Sequence, residues 1–99
     1  MSMQEPGLDR HEWETEFASL EEDLRDDPQA ALPQFADLVE RMLEEREVED
    51  GDELVAEFRS ARETADRCER GEADPGDVGA AVEGLRDVYA TLLVERGAP

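Results

Sequence analysis

Apolar residues return every three or four positions in four successive stretches of this chain. Trp13, Phe17, Leu20 and Leu24 make the first stripe, with Glu14, Glu16, Glu21, Glu22 and Asp23 mostly on the remaining surface. In a helix of 3.6 residues per turn that spacing stacks side chains on one face, so the stretch predicts an amphipathic helix. Leu32, Phe35, Ala36, Val39, Met42 and Leu43 form a second stripe, and Leu54, Phe58, Ala61, Ala65 and Cys68 a third. Val78, Ala81, Val82, Leu85, Val88, Tyr89, Leu92 and Leu93 form the fourth and most apolar one. The absence of Ile and the abundance of Glu, Leu, Ala and Arg favour helix as well.

Capping signals set the expected boundaries. Asp9 stands as N-cap with Glu12 at the reciprocal capping-box position and Leu8 and Trp13 on either side as a hydrophobic staple. Helix one is expected to end near Asp26. Asp27-Pro28 can open the second helix, but Pro33 lacks an N–H and crowds the carbonyl of Gln29, which predicts a kink or a fresh start there. Val48 to Asp52, around Gly51, reads as a break, after which Asp50 and Glu53 repeat the capping-box spacing and Gly71 supplies a stop. Asp74-Pro75-Gly76-Asp77 places a cap, a proline at the first helical position and an acid near N3, and Gly97 with Pro99 closes the last helix. Gly84 inside that helix costs up to about 1 kcal/mol relative to Ala unless it serves a close helix contact. Ala61 and Ala65 are small enough to let another helix approach.

Four amphipathic helices with short connections are most simply satisfied as an all-α, antiparallel four-helix bundle around one core. A chain of 99 residues has room for one domain, expected over 1–99 with residues 1–8 flexible. The alternative is a three-helix unit in which helix one or helix four completes a dimer.

Charge changes this picture. Asp and Glu number 29 against 10 basic residues, every one of them Arg, for a formal net charge of −19. Residues 1–50 hold seventeen acids and four arginines, residues 51–99 twelve and six, so repulsion is greater in the first half. Such a surface repels phosphate, and direct nucleic-acid binding, which needs a basic patch, is not expected. Asp37 with Arg41, Arg41 with Glu45, Arg59 with Glu63, Arg62 with Asp66, Glu63 with Arg67 and Asp66 with Arg70 are four apart and are expected to pair within their own helices. The first ten residues show no apolar signal-peptide core and no stretch is apolar enough to span a membrane, so the cytoplasm is the expected compartment.

Candidate chemistry is sparse. His11 is the single histidine, and His11-Glu12 lacks the second histidine of a zinc helix. Cys68 is the single cysteine, so it has no intramolecular disulfide partner, and its stripe position predicts a buried structural thiol. The acids Glu44, Glu45, Glu47, Glu49, Asp50, Asp52 and Glu53 do not match the ligand spacing of an EF-hand loop and predict diffuse cation screening. No Asp or Glu falls on an apolar stripe, where a carboxyl with a raised pKa would sit, and no glycine-rich phosphate loop is present. Trp13, Phe17, Met42 and Tyr89 read as core at helical spacing rather than as a ligand-lining set. No catalytic residue, metal ligand or cofactor site is therefore assigned.

Trp13, Asp26-Asp27-Pro28 with Ala31, Leu38-Val39, Met42, Arg70-Gly71 and the close through Leu85, Tyr89 and Leu92-Leu93 form a pattern that resembles short, all-helical actinobacterial proteins of uncharacterised function. The resemblance covers most of the chain and implies a helical fold, with no activity or site residue attached; Pro33 departs from it. The functional expectation is a small acidic, non-enzymatic helical protein, a protein-protein interaction or regulatory module with a protein partner or a homodimer. The alternatives are a carboxylate- or metal-dependent enzyme and an acidic nucleic-acid mimic that binds a basic protein.

Self-repulsion at this charge destabilises the compact state, and salt screens it with a Debye length of about 8 Å at 0.15 M. Thermal melting followed by circular dichroism should therefore give a Tm that rises on adding sodium chloride to a low-salt buffer. A Tm that stays flat or falls means that repulsion is not limiting.

Overall fold

The computed structural model describes the backbone of residues 6–97 and the side chains of residues 11–93. Four helices, α1 (Pro6–Asp26), α2 (Pro28–Glu45), α3 (Glu53–Glu69) and α4 (Pro75–Gly97), form a bundle, and there is no strand among the described residues. Successive helices run antiparallel. Phe17 of α1 meets Phe35 of α2, Arg62 of α3 reaches Asp37 of α2, and Arg67 of α3 lies by Asp77 of α4. Phe17 also stacks on Tyr89 of α4, with ring centroids 4.2 Å apart, which closes the bundle between its first and last helices.

The central element is α2, which packs closely on all three other helices. Its sequence explains this position. Ala31, Leu32, Phe35, Ala36, Leu38, Val39, Met42 and Leu43 are all buried, a band wider than one stripe, and Leu32, Phe35, Ala36, Leu38, Val39 and Met42 have no exposed surface at all. Each large apolar side chain so buried contributes roughly 1.5–3 kcal/mol. The fourth stripe is the most apolar along the chain, but α4 buries a single face, with Val78, Ala81, Leu85, Val88, Tyr89 and Leu92 turned toward α2 and its neighbours.

Several boundaries differ from those read along the sequence. Helix α1 starts at Pro6, so Asp9 and Glu12 lie inside it rather than at its cap. A proline at the first helical position loses no helical bond and has its φ already set, which lets the helix begin upstream of the polar signal. The side chains of Leu8 and Asp9 lie outside the described residues, as do residues 1–5 entirely; residues 6–8 belong to the first turn of α1. Trp13, expected in a staple with Leu8, is buried with the Arg46 guanidinium 4.3 Å from its ring centroid.

Asp27 alone turns the chain between α1 and α2. Its N–H donates to the Asp23 carbonyl at 2.8 Å, and its carboxylate accepts from the Ala30 N–H at 3.3 Å. The helix then runs through Pro33 without a fresh start. One helical bond is lost near the N-terminal end, at the exposed residue Gln29, while Leu32 and Phe35 on either side of Pro33 are completely buried. Their burial outweighs a proline cost of about 3 kcal/mol.

Helix α2 ends at Glu45, earlier than the expected break. The Glu47 N–H donates to the Glu44 carbonyl at 3.0 Å and the Val48 N–H to the Leu43 carbonyl at 3.1 Å, with Glu47 at φ 55°. The same pair of bonds closes α3, from Gly71 to Cys68 at 3.0 Å and from Glu72 to Arg67 at 2.8 Å, with Gly71 at φ 71°. Gly71 was legible as a stop because a left-handed residue favours glycine. Glu47 carries no such mark, and Val48 packing against the core helps to hold it there. The α3 cap is Asp52, whose carboxylate accepts from the Leu54 N–H at 2.9 Å, and not Asp50, which lies in the preceding turn with Gly51. Pro75 opens α4 as expected, and the Val78 N–H donates to the Asp74 carbonyl at 3.0 Å. Gly97 is the last helical residue, and Pro99 lies outside the described residues.

Gly84 does not mark a close backbone contact. A Cβ there would meet only the side chain of Glu57 at 3.7 Å, an ordinary van der Waals distance, and one at Gly79 would meet nothing within 4 Å. Gly84→Ala and Gly79→Ala should each stabilise the fold by about 0.5–1 kcal/mol, raising Tm by roughly 2–8 °C. A drop in Tm for Gly84→Ala would show that α3 and α4 lie closer together than this structure places them.

Candidate functional site

The helix stripes leave an interior with almost no chemistry in it. Thr64 is the one polar or charged residue buried among the described residues, and every described carboxylate lies outside the core. What distinguishes the surface is how its arginines are placed. Arg41 of α2 donates to Glu16 of α1 at 2.6 Å, Arg62 of α3 to Asp37 of α2 at 2.9 Å, and Arg86 of α4 to Glu21 of α1 at 2.5 Å. Arg67 of α3 lies 3.9 Å from Asp77 of α4. These contacts cross the seams between helices.

The pairing expected within helices is therefore largely replaced. Arg62 with Asp66, at 3.7 Å, is formed, but Arg41 turns from Asp37 and Glu45 to Glu16, Arg59 goes to Asp50 at 3.8 Å, and Arg70 goes to Glu72 at 3.3 Å. An arginine stem can lie along apolar surface while its planar head reaches a carboxylate on the next helix, a contact that spacing along one helix cannot reveal. Such exposed pairs contribute about 0–1 kcal/mol each. At Arg62 partial burial pulls the pKa down, but the hydrogen bond it donates to Asp37 and the charges of Asp37, Glu40 and Asp66 hold it above its ordinary value, so the guanidinium stays charged.

The remaining candidates do not converge. His11 is exposed on α1, in a shallow hollow with Glu12, Thr15, Glu16 and Ser19. Among the described residues no group of three or more His, Cys, Asp or Glu is placed to hold a metal ion. The acids from Glu44 to Glu53 lie along the exposed end of α2, the α2–α3 connection and the start of α3. Trp13, Met42 and Tyr89 are core, and Phe17 is half-buried between Phe35 and Tyr89. Cys68 is free and half-buried, less enclosed than its stripe position predicts, because it lies in the last turn of α3.

One groove was not foreseen. Between α3 and α4 an open cleft of about 520 Å³ is floored by Ala61, Ala80, Ala81 and Gly84. Glu57, Glu63, Asp77 and Arg67 surround it, and Ser60 and Thr64 also line it. The small side chains noted on α3 meet small ones on α4, so that space remains above the seam. Only the three-dimensional pairing of α3 with α4 brings these residues together. No described helix is long and apolar enough to cross a membrane. Compared with family models, curated proteins and solved structures, the chain matches none.

Burial pushes the Cys68 thiol pKa up, and the charge of Glu69 adds to the shift. The reactive thiolate is therefore scarcer at neutral pH than in an unfolded chain. Alkylation by iodoacetamide, followed by mass spectrometry, should be slower for the folded protein than for the same chain in urea and should accelerate as pH rises. A folded-state rate at neutral pH equal to the unfolded one would contradict that environment.

Proposed function

We propose that this chain is a non-enzymatic helical interaction module that presents an acidic surface to a positively charged protein partner. The observation that carries the reading is the placement of charge. Arginines are engaged along the helix seams, the buried set contains no carboxylate, and the large excess of acid faces water. A rigid bundle with this surface draws a basic partner in by long-range attraction, which chiefly raises the association rate. A second copy has the same charge, so a partner of opposite sign is favoured over a homodimer. Support for a non-catalytic role comes from the exposed lone histidine, the thiol with its raised pKa and the lack of any metal-holding group among the described residues.

Chemical cross-linking of the purified chain in extract from its source cells, followed by calorimetry on the recovered protein, tests the reading. A basic partner is expected to bind with defined stoichiometry, more weakly as salt rises. Glu22→Gln with Glu44→Gln should slow association far more than it speeds dissociation. A partner released by competing duplex DNA would identify the occupied surface as its nucleic-acid-binding face. Salt-insensitive binding, or turnover of a small substrate by the purified chain, would defeat the proposal.

A further inference from the structure

We infer that α1 is an exchangeable helix, docked on its own α2–α4 face in the monomer and on the same face of a second copy in a domain-swapped dimer. This is independent of the basic-partner reading, which concerns the outward acidic faces of a single copy.

Helices α2, α3 and α4 each pack closely on the other two, whereas α1 packs closely on α2 alone. It reaches α4 through Phe17 on Tyr89 and Glu21 on Arg86. Three helices thus form a mutually packed unit, and the fourth is laid across one face of it. That face is chemically specific. It offers Phe35 and Tyr89 to Phe17, and the guanidinium groups of Arg41, Arg46 and Arg86 to Glu16, the Trp13 ring and Glu21. Its occupant is therefore an amphipathic helix with aromatic residues on its stripe and acids beside them. Helix α1 carries that pattern, with eight acids and two arginines around Trp13, Phe17, Leu20 and Leu24. A second copy supplies the identical helix, so each of these contacts is re-formed on exchange, and two-fold symmetry closes the assembly at two copies.

The hinge is a single residue, Asp27. Helical bonds run past it on both sides: its N–H donates to the Asp23 carbonyl at 2.8 Å, and its own carbonyl accepts from the Ala31 N–H at 3.0 Å. Its dihedrals, φ −153° and ψ 84°, interrupt the helix. Rotation of Asp27 into the helical region joins α1 and α2 into one helix over 6–45, roughly 60 Å long. The bundle itself extends 46 Å. In that state α1 projects beyond its own three-helix unit with its stripe bare, and the face it has left accepts α1 of the second copy. Pro28 and charge hold the exchange in check. The proline ring disfavours the helical region for Asp27 and crowds the Leu24 carbonyl in a continuous helix. Pro33 shows that α2 accommodates such a ring where apolar burial offsets it. Asp23, Asp26 and Asp27 stand at the hinge of both copies, so their approach requires screening by salt.

Size-exclusion chromatography with light scattering on the full chain, equilibrated from urea at several protein and salt concentrations, tests the exchange. A monomer is expected at low salt, and at high salt a dimer whose fraction rises with protein concentration. Pro28→Ala, at an exposed position, relieves both restraints in each copy and should raise the dimerisation constant about a hundredfold or more. Insertion of Gly-Ser-Gly between Asp26 and Asp27, which lengthens the hinge, should leave the chain monomeric throughout. In a dimer formed from mixed isotope-labelled and unlabelled chains, filtered nuclear Overhauser spectra should place Phe17 of one copy against Tyr89 of the other. Dimers in which that contact stays within one copy are joined by their outer surfaces, and would overturn the proposal. So would a wild-type chain that stays monomeric at high salt and concentration, or a Pro28→Ala dimer no tighter than the wild type. Circular dichroism checks that each variant is helical, and the wild-type spectra decide the question if Pro28→Ala does not fold.

Discussion

Everything in this molecule hangs on the enclosure of α2. A chain with a net charge of −19 pushes its own helices apart, and the opposing term is the apolar surface gathered around one central helix. Leu32, Phe35, Leu38, Val39 and Met42 are withdrawn completely from water because α1, α3 and α4 each cover a different part of α2. Hydrophobic burial is non-directional and indifferent to salt of moderate strength, whereas repulsion among exposed carboxylates is long-ranged and screened. The fold persists where the first exceeds the second. Continuity of α2 matters so much to that balance that a proline is carried inside it.

Placement of the arginines follows from the same constraint. Cations confined to pairs four residues apart would stabilise single helices and leave the seams to repel. Arg41, Arg62 and Arg86 instead each reach an acid on a neighbouring helix, where the attraction opposes separation of the bundle directly. Each contact is small, since the groups are largely in water. Their number and position nonetheless reduce charge density at the seams and leave the surplus acid on the outward faces. The same arrangement that holds the helices together thus produces the surface a basic partner would meet.

How much of this could be read along the chain depends on the range of the physics. The four stripes and the all-helical bundle were legible because helical periodicity is local, and Gly71 and Pro75 were legible because backbone geometry restricts which residues fit. The caps at Asp9 and Asp50 were misplaced because several acids in one neighbourhood offer the same signal, and only the backbone path selects among them. Pro33 was misread because its local cost is visible while the burial that offsets it is not. The cleft was illegible for a stronger reason. Ala61 on α3 and Ala81 on α4 are unremarkable alone, and only the register between the two helices turns small residues into a space.

The same enclosure accounts for what α4 is able to carry. Helices gain little from glycine in their interiors, yet α4 keeps Gly79 and Gly84, each with room for a methyl group. Gly84 lies on the floor of the cleft, where a Cβ would meet only the Glu57 side chain at 3.7 Å, and Gly79 is exposed and lies outside the cleft lining. Neither glycine answers a close backbone approach, so each costs helical stability with no steric return. Val78, Ala81, Leu85, Val88, Tyr89 and Leu92 are buried along the same helix, and that apolar face is what holds α4 in place despite the two glycines.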